Sequence, residues 1–207
     1  MDKAITFFFD FISPYSYLAY KRLPKLAEQH GYAMRYRPID LKTAKLSVGN
    51  VGPTTREMPV KHRHLRKDLQ RWARLYGVTL SHPGAIPFGR ANRGTFFAED
   101  RNAVRAYLDL AWDLVWARGA QDEEALLAAL ADGMKWKRAE FLDYVASPAA
   151  LARYQACQDE AQKLGVFGVP TMVIGEEMWW GNDRLHFLED YLRTGTDILG
   201  RPAGVAA

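Results

Sequence analysis

The pattern of apolar and polar residues predicts strands at the start of the chain. An apolar run without alternation, Ala4 to Phe11, is typical of a strand buried on both faces. Apolar residues at near-helical spacing follow Ser13-Pro14 and stop at His30-Gly31, which predicts one helix. Residues 33–39 then alternate between apolar and basic, as in a strand. Together these elements predict a β-α-β unit with parallel strands.

The middle of the chain is predicted to be helical. Residues 40–55 lack sustained periodicity, so we expect a loop there that could line a site. Beyond it the apolar residues recur at helical spacing in five stretches, with a second loop at residues 81–88. The predicted helices span residues 56–76, 92–118, 122–132, 135–145 and 148–164.

Strand character returns near the end of the chain. Residues 168–175 predict a strand that pairs with residues 177–180 as a hairpin through Gly175-Glu176. An Asn or Asp cap then opens a helix at residues 184–193. We expect the tail after Thr194 to be loose.

Composition and charge narrow the class of protein. The chain has 207 residues, 48% hydrophobic and 25% charged, which suits one domain with a sizeable insertion. We find neither a signal peptide nor an apolar run of membrane-spanning length, and therefore expect a soluble, cytoplasmic protein without membrane contact. The single cysteine, Cys157, excludes an internal disulfide or CxxC pair and reads as a small packing residue.

Basic residues are concentrated in one stretch. Residues 56–74 contain seven Lys or Arg against two acidic residues, although the net charge is only +4. A solvated helix face explains most of them, and attraction of an anionic small molecule is the functional alternative. No nucleic-acid signature accompanies them. His62 and His64 do not share a helix face and lack a cysteine nearby, so we expect no metal site.

Ser13 is the first candidate for a catalytic residue, because it lies at the junction between the buried strand and the first helix. Serine before proline also suits a helix N-cap, so a plain helix start is the competing interpretation. Asp10 could orient the Ser13 loop, but a carboxylate that serves backbone amides at the strand end is the simpler hypothesis.

The order of elements resembles a known fold. A β-α-β unit, a helical insertion, Val-Pro and then β-β-α resemble the α/β thioredoxin-like fold of the DsbA and kappa-class glutathione transferase branch. The resemblance divides the chain into a discontinuous thioredoxin-like domain (1–40 and 166–195), a linker with an inserted helical domain (41–165) and a tail (196–207). The redox Cys-Pro-x-Cys slot reads Ser13-Pro14-Tyr15-Ser16, so dithiol chemistry is excluded.

Several segments resemble the 2-hydroxychromene-2-carboxylate isomerase family more specifically. They are residues 10–19, Ile39-Asp40-Leu41, Gly49-Asn50-Val51-Gly52-Pro53, residues 68–73, Phe167-Gly168-Val169-Pro170-Thr171 and residues 178–184. The resemblance implies a cytoplasmic homodimeric isomerase of bacterial naphthalene catabolism. It would interconvert 2-hydroxychromene-2-carboxylate and trans-o-hydroxybenzylidenepyruvate with glutathione as cofactor, by reversible thiol addition.

The resemblance also implies the site residues. The Ser13 hydroxyl would donate a hydrogen bond to the glutathione sulfur and, with the helix N-terminus, favour the thiolate. The main chain of Val169, before the family's cis-proline Pro170, would pair with the cysteinyl part. The remaining glutathione contacts would be Trp180, Gly181, Asn182 and Asp183.

The small aromatic hydroxy acid would contact Lys45, Thr55, Arg56 and Ile86. Thr55 replaces the family's asparagine, and the loop at residues 85–88 lacks its tyrosine. Two alternatives stay open. A kappa-class-like glutathione transferase would consume glutathione, and a redox-inactive binding module would use the fold without catalysis.

Overall fold

A four-stranded mixed sheet forms the base of the molecule. We analysed a computed structural model, which describes residues 3–196 and residue 200. The sheet order is β2-β1-β3-β4. The strands are β1 (Ala4–Phe9), β2 (Ala33–Pro38), β3 (Thr171–Ile174) and β4 (Glu177–Trp180).

Strand pairing confirms the predicted β-α-β and β-β units. β1 pairs in parallel with β2, in a register that sets Ala4 opposite Ala33. β3 runs antiparallel to both β1 and β4. Gly175, at φ 59°, turns the hairpin between β3 and β4. The central position of β1 explains its continuous apolar run, because both of its faces are covered.

Ten α-helices surround the sheet within the described part of the chain. They are α1 (Pro14–Tyr20), α2 (Leu23–Gln29), α3 (Leu41–Ser47), α4 (Pro59–Tyr76), α5 (Gly89–Glu99), α6 (Val104–Trp112), α7 (Glu123–Gly133), α8 (Arg138–Ala146), α9 (Pro148–Lys163) and α10 (Leu185–Thr194). A π-helical turn (Asp113–Ala117) extends α6, and a 3₁₀ turn (Asn182–Arg184) precedes α10.

The first predicted helix is in fact two. α1 ends at Tyr20 and α2 begins at Leu23, with Pro24 in its first turn. A proline lacks the N–H that would continue α1 and disfavours a helical conformation in the residue before it. The apolar spacing runs through this break because both helices bury apolar residues in the same core cluster.

The predicted loop at residues 40–55 is wrong in its first half, where α3 forms. Asp40 caps α3, its Oδ1 accepting from Thr43 N at 2.6 Å. A second carboxylate, Asp10, accepts from Leu41 N at 3.0 Å. Only Ala44 is buried on this helix, so its apolar stripe is too narrow to produce periodicity.

The predicted helix at residues 92–118 is also interrupted. α5 ends at Glu99, and α6 begins at Val104 after a turn in which Asn102 adopts φ 52°. Asparagine tolerates this left-handed conformation better than most residues. The interval is short enough for the helical spacing to continue across it.

An aromatic core joins the sheet to the helices. Trp112 of α6 lies 4.6 Å from Phe11 and 5.8 Å from Phe9, measured between ring centroids. Trp112, Trp116 and Phe141 are fully buried, as expected of packing residues. The division into a thioredoxin-like domain and an inserted helical domain stays a prediction. The main hydrophobic cluster contains residues from both.

Two further expectations from the sequence are a loose C-terminal tail and the absence of a membrane span. The predicted tail lies almost wholly outside the described residues. No helix in the described ranges has the length and apolar character to cross a membrane.

Gly94 allows α5 and α6 to approach closely. A Cβ at this position would collide with the Tyr107 hydroxyl and would meet Phe141 at 3.1 Å. We expect Gly94→Ala to lower the free energy of unfolding by roughly 1–3 kcal/mol, since it overpacks a buried contact. Urea unfolding measures this change. On the same helix, Gly89→Ala has only the flexible end of Arg93 nearby at 3.8 Å and should be neutral, so equal losses would contradict the explanation.

Candidate active site

The turn between β1 and α1 is held by buried partners. Ser13 N donates to Asp10 O at 3.0 Å and closes the turn. Asn92 Oδ1 accepts from Phe11 N at 3.2 Å, and Trp116 Nε1 donates to Phe11 O at 2.8 Å. Since Asn92 and Trp116 come from the helical insertion, that insertion fixes the backbone that carries Ser13.

Ser13 is the N-cap of α1 and keeps a hydroxyl proton to donate. Its Oγ accepts from Ser16 N at 3.2 Å, and Pro14 occupies the first helical turn. Accepting this bond leaves the Ser13 O–H free to donate toward a ligand. Ser16 Oγ is also buried and has no partner among the described residues. The cap and the chemical role are therefore compatible.

A cavity of about 380 Å³, here the Trp180 cavity, adjoins the start of α1. Tyr15 enters it from α1, and Tyr15 OH donates to Asp68 Oδ2 of α4 at 2.7 Å. Burial and this carboxylate raise the pKa of the Tyr15 phenol, which keeps it neutral. The lining residues are Tyr15, Asp68, Trp72, Val169, Pro170, Trp180, Gly181, Asn182, Asp183 and Arg184.

The opposite wall is built from the segment that precedes the hairpin, Val169–Pro170, and from the turn that follows it. The Val169–Pro170 peptide is cis, as the resemblance implies, and Pro170 O accepts from Gly181 N at 2.9 Å. Gly181 has φ 111°, and a Cβ there would lie 2.5 Å from Asp183 Oδ1. Trp180 is 52% exposed at the rim.

Asn182 and Asp183 lie at the end of this wall. Asn182 is 2% exposed, yet neither polar atom of its side chain forms a hydrogen bond of good geometry within the described residues. The Asn182 amide lies near the Tyr76 phenol and lowers its pKa. Burial raises that pKa by more, so the net shift is upward. Asp183 pairs with Arg184 at 2.5 Å. A buried, unsatisfied amide is costly and indicates a place for a polar ligand.

A second and larger cavity of about 700 Å³, here the Lys45 cavity, lies on the other side of the turn. Its wall includes Ile12, Lys45 and Thr55. Lys45 is half-buried, and no carboxylate forms an ion pair with it in the described part of the chain. The predicted substrate contacts Lys45 and Thr55 thus share one space.

The other two predicted substrate contacts lie differently. Arg56 does not line the Lys45 cavity but donates from Nη2 to Ile12 O at 3.5 Å, at the edge of the turn. Ile86 packs half-buried against the main core and is not part of that cavity wall. The structure therefore separates Ile86 from Lys45 and Thr55.

Asp10 is a buried carboxylate beneath the turn, 4% exposed. It accepts from Ile12 N at 3.2 Å, from Leu41 N at 3.0 Å and from Asn92 Nδ2 at 2.9 Å. Burial raises the pKa of this carboxyl to about 6, although the three hydrogen bonds oppose the shift. The hypothesis that it serves backbone amides is correct.

Sequence reasoning missed part of the Trp180 cavity. Asp68 and Trp72 are four residues apart on α4 and face it together with Tyr15. The i,i+4 spacing of a carboxylate and an indole, inside a segment already matched to the family, is the signal that could have found them.

Cys157 contributes no reactive thiol. It is buried in the smaller core between α9 and the sheet, and burial raises its pKa to about 11. A thiol with that pKa is protonated at neutral pH. Any thiol chemistry at the Ser13 site must therefore use a sulfur from another molecule.

Comparison with known proteins decides the family. A family model described as DSBA-like thioredoxin domain matches residues 4–193. The 2-hydroxychromene-2-carboxylate isomerase of Pseudomonas putida is 45% identical over 186 residues, covering 89% of this chain and 92% of that protein. The chain belongs to the DsbA-like thioredoxin family, in its 2-hydroxychromene-2-carboxylate isomerase branch.

Solved structures agree with this placement. A 2-hydroxychromene-2-carboxylate isomerase structure superposes with a TM-score of 0.87 at 43% identity, covering 92% of this chain and 94% of that one. Kappa-class relatives are more distant: glutathione S-transferase kappa 1 of Rattus norvegicus is 24% identical over 203 residues, covering 90% of this chain and 89% of the relative. The family resemblance and the fold are confirmed.

Proposed function

We propose that this isomerase-family protein interconverts 2-hydroxychromene-2-carboxylate and trans-o-hydroxybenzylidenepyruvate, with glutathione as its cofactor. One observation carries the proposal. Ser13 stands in the chain between Ile12, which lines the Lys45 cavity, and Tyr15, which lines the Trp180 cavity. A thiol held in one cavity would therefore meet a substrate held in the other at Ser13.

The residues of the Trp180 cavity fit glutathione. Asn182 offers an unsatisfied buried amide to the polar glutamyl end, and Asp183 offers a carboxylate to its ammonium. Val169 lines the cavity where it can pair its main chain with the cysteinyl part. Trp180 and Gly181 complete the wall. The kappa-class relatives, which are named glutathione transferases, support the same cofactor.

When bound, glutathione supplies a thiolate that adds reversibly to the enone, so that the former double bond can rotate. The protein's task is to keep that sulfur ionised at neutral pH. The Ser13 O–H donates to it, and the partial positive charge at the start of α1 favours the anion. Tyr15 stays neutral and bound to Asp68, so it adds no negative charge at the sulfur.

The Lys45 cavity is assigned to the aromatic hydroxy acid. Lys45 can pair with the substrate carboxylate without first breaking an ion pair of its own. Thr55 can donate to a ring or phenol oxygen. Arg56 stands at the entrance, where its guanidinium attracts the anion. Ile86 is not in the wall of this cavity, so its contact with the substrate stays a prediction of the family resemblance.

Three finer properties complete the proposal. The first is the context, naphthalene catabolism, in which this substrate pair arises. The second is a cytoplasmic location, which suits a chain with one buried cysteine. The third is a homodimer, the assembly that the family resemblance implies. Size-exclusion chromatography with light scattering tests the last of these.

The 24% identical kappa-class relatives favour one second candidate, a glutathione transferase. Such an enzyme would share Ser13 and Val169 but release a conjugate. Mass balance separates the two functions, since an isomerase leaves total free thiol unchanged over many turnovers and a transferase consumes it.

The decisive experiment measures interconversion of the two acids by ultraviolet absorbance, with and without glutathione. We expect turnover that rises saturably with glutathione and a constant thiol titre at the end. Turnover that is indifferent to glutathione would remove the proposed mechanism, and net thiol loss would favour the transferase.

Replacing the Ser13 hydroxyl should lower kcat by about 100-fold or more, the order found when one preorganised donor is lost at a developing anion. Ser13→Ala also removes the N-cap, at a cost of about 1 kcal/mol, whereas glycine at an N-cap costs only a few tenths. Ser13→Gly is therefore the matched control. Equal loss of kcat in both, with differing stability, supports thiol donation; recovery of activity in the glycine variant contradicts it.

Gly181→Ala should weaken glutathione binding by about tenfold or more, because the new methyl group would strain a backbone at φ 111° and displace Asp183 Oδ1. Isothermal calorimetry gives the affinity. Gly175→Ala also places a side chain at a positive φ, 59°, but in open space on the hairpin, and should bind normally. Normal binding by both variants would refute the role of the Gly181 turn.

A further inference from the structure

The Ser13 turn and the helix that carries Lys45 both donate hydrogen bonds to one carboxylate. Oδ1 of Asp10 accepts from Ile12 N and from Asn92 Nδ2, and Oδ2 accepts from Leu41 N. Ile12 N belongs to the turn that ends at Ser13. Leu41 N belongs to the first residue of α3, the helix that carries Lys45. A single rigid group thereby joins the strand end, the Ser13 turn and α3.

We propose that Asp10, in its ionised form, is the positioning residue that holds the Ser13 turn and the Lys45 helix at a fixed separation. The catalytic readouts of this proposal rest on the isomerase function proposed above. Asp10 itself is not assigned contact with the reacting atoms.

The chemistry of the surroundings favours the ionised form. All three groups that face Asp10 in hydrogen bonds are donors, and a carboxylate accepts at every lone pair. A protonated carboxyl would be a weaker acceptor for these three bonds and would add an O–H donor that needs an acceptor of its own. Asparagine would likewise direct an NH₂ toward Leu41 N or toward Ile12 N.

Keeping this charge buried costs stability at neutral pH. The pKa in the folded state, about 6, is above the ordinary value of 3.8. The native state therefore binds the proton more tightly than the unfolded state, and this group lowers the free energy of unfolding as pH rises from about 4 to 6. Retaining a residue that costs stability in its working state is typical of a functional constraint.

Other charged groups act on this titration. Asp40 at the start of α3 raises the pKa of Asp10. Tyr154 of α9 contributes a hydroxyl that accepts from Asn92 Nδ2 at 3.0 Å and stays neutral because burial raises its pKa. The cations that line the Lys45 cavity together with Asp10 are Lys42, Lys45 and Lys61, and Arg56 donates to Ile12 O at the edge of the turn.

The first test uses nuclear magnetic resonance on the ligand-free protein and needs no turnover. The amide protons of Ile12 and Leu41 should titrate together with a midpoint near pH 6 in the wild type. Both transitions should vanish in Asp10→Asn, and Asp40→Asn should move the common midpoint to lower pH. Separate midpoints, or transitions that persist in Asp10→Asn, would overturn the coupling.

The second test measures kinetics of the two acids at saturating glutathione and pH 7.5. Asp10→Asn should raise KM for the aromatic acid and lower kcat, each by about tenfold, while melting within a few degrees (~5 °C) of the wild type. Asp122→Asn is the matched control, because Asp122 Oδ1 accepts from Ala125 N at the start of α7, remote from both cavities, and its kinetics should be unchanged.

The outcomes separate the two proposals. If the wild type shows no glutathione-dependent turnover, the proposed function fails while the amide titration still decides the role of Asp10. If turnover is normal and Asp10→Asn changes KM and kcat by less than twofold, the positioning role fails and the function stands.

Discussion

The structure depends on a polar turn placed inside an aromatic core. β1 lies inside the sheet and ends at Phe9, and from the buried Asp10 onward the backbone must turn into α1 without water to satisfy it. Unpaired backbone groups at such a place are costly. Asn92 and Trp116, two side chains of the helical insertion, supply the missing partners at Phe11. The insertion is thus required for the Ser13 geometry.

This arrangement explains how a fold known for dithiol exchange can serve a different chemistry. The start of α1 still offers a helix N-terminus, which favours an anion, and Val169–Pro170 line the adjoining cavity. Hydroxyls occupy both positions where the redox branch has thiols, and the only cysteine is buried with a raised pKa. The same local electrostatics then acts on a thiol brought by a ligand, under the function proposed here.

The site also shows where stability is given up. Asn182 keeps a buried amide without partners, and Ser16 keeps a buried hydroxyl without one, within the described residues. Asp10 keeps a charge in the interior at neutral pH. These costs are offset by the ring contacts of Phe9, Phe11 and Trp112 directly behind the turn. Dense aromatic packing stabilises the fold around a polar site that itself lowers stability.

The sequence by itself determined the β-α-β start, the helical middle and the β-β-α end, the parallel and hairpin pairings, the N-cap at Ser13 and the family, because each depends on local spacing or on a contiguous segment. It could not determine α3, whose first N–H donates to Asp10, a carboxylate 31 residues away along the chain. Nor could it place Tyr15, Asp68 and Trp72 together or separate Ile86 from Lys45. Contacts between distant segments follow from how the helices pack on the sheet, and no local pattern encodes that packing.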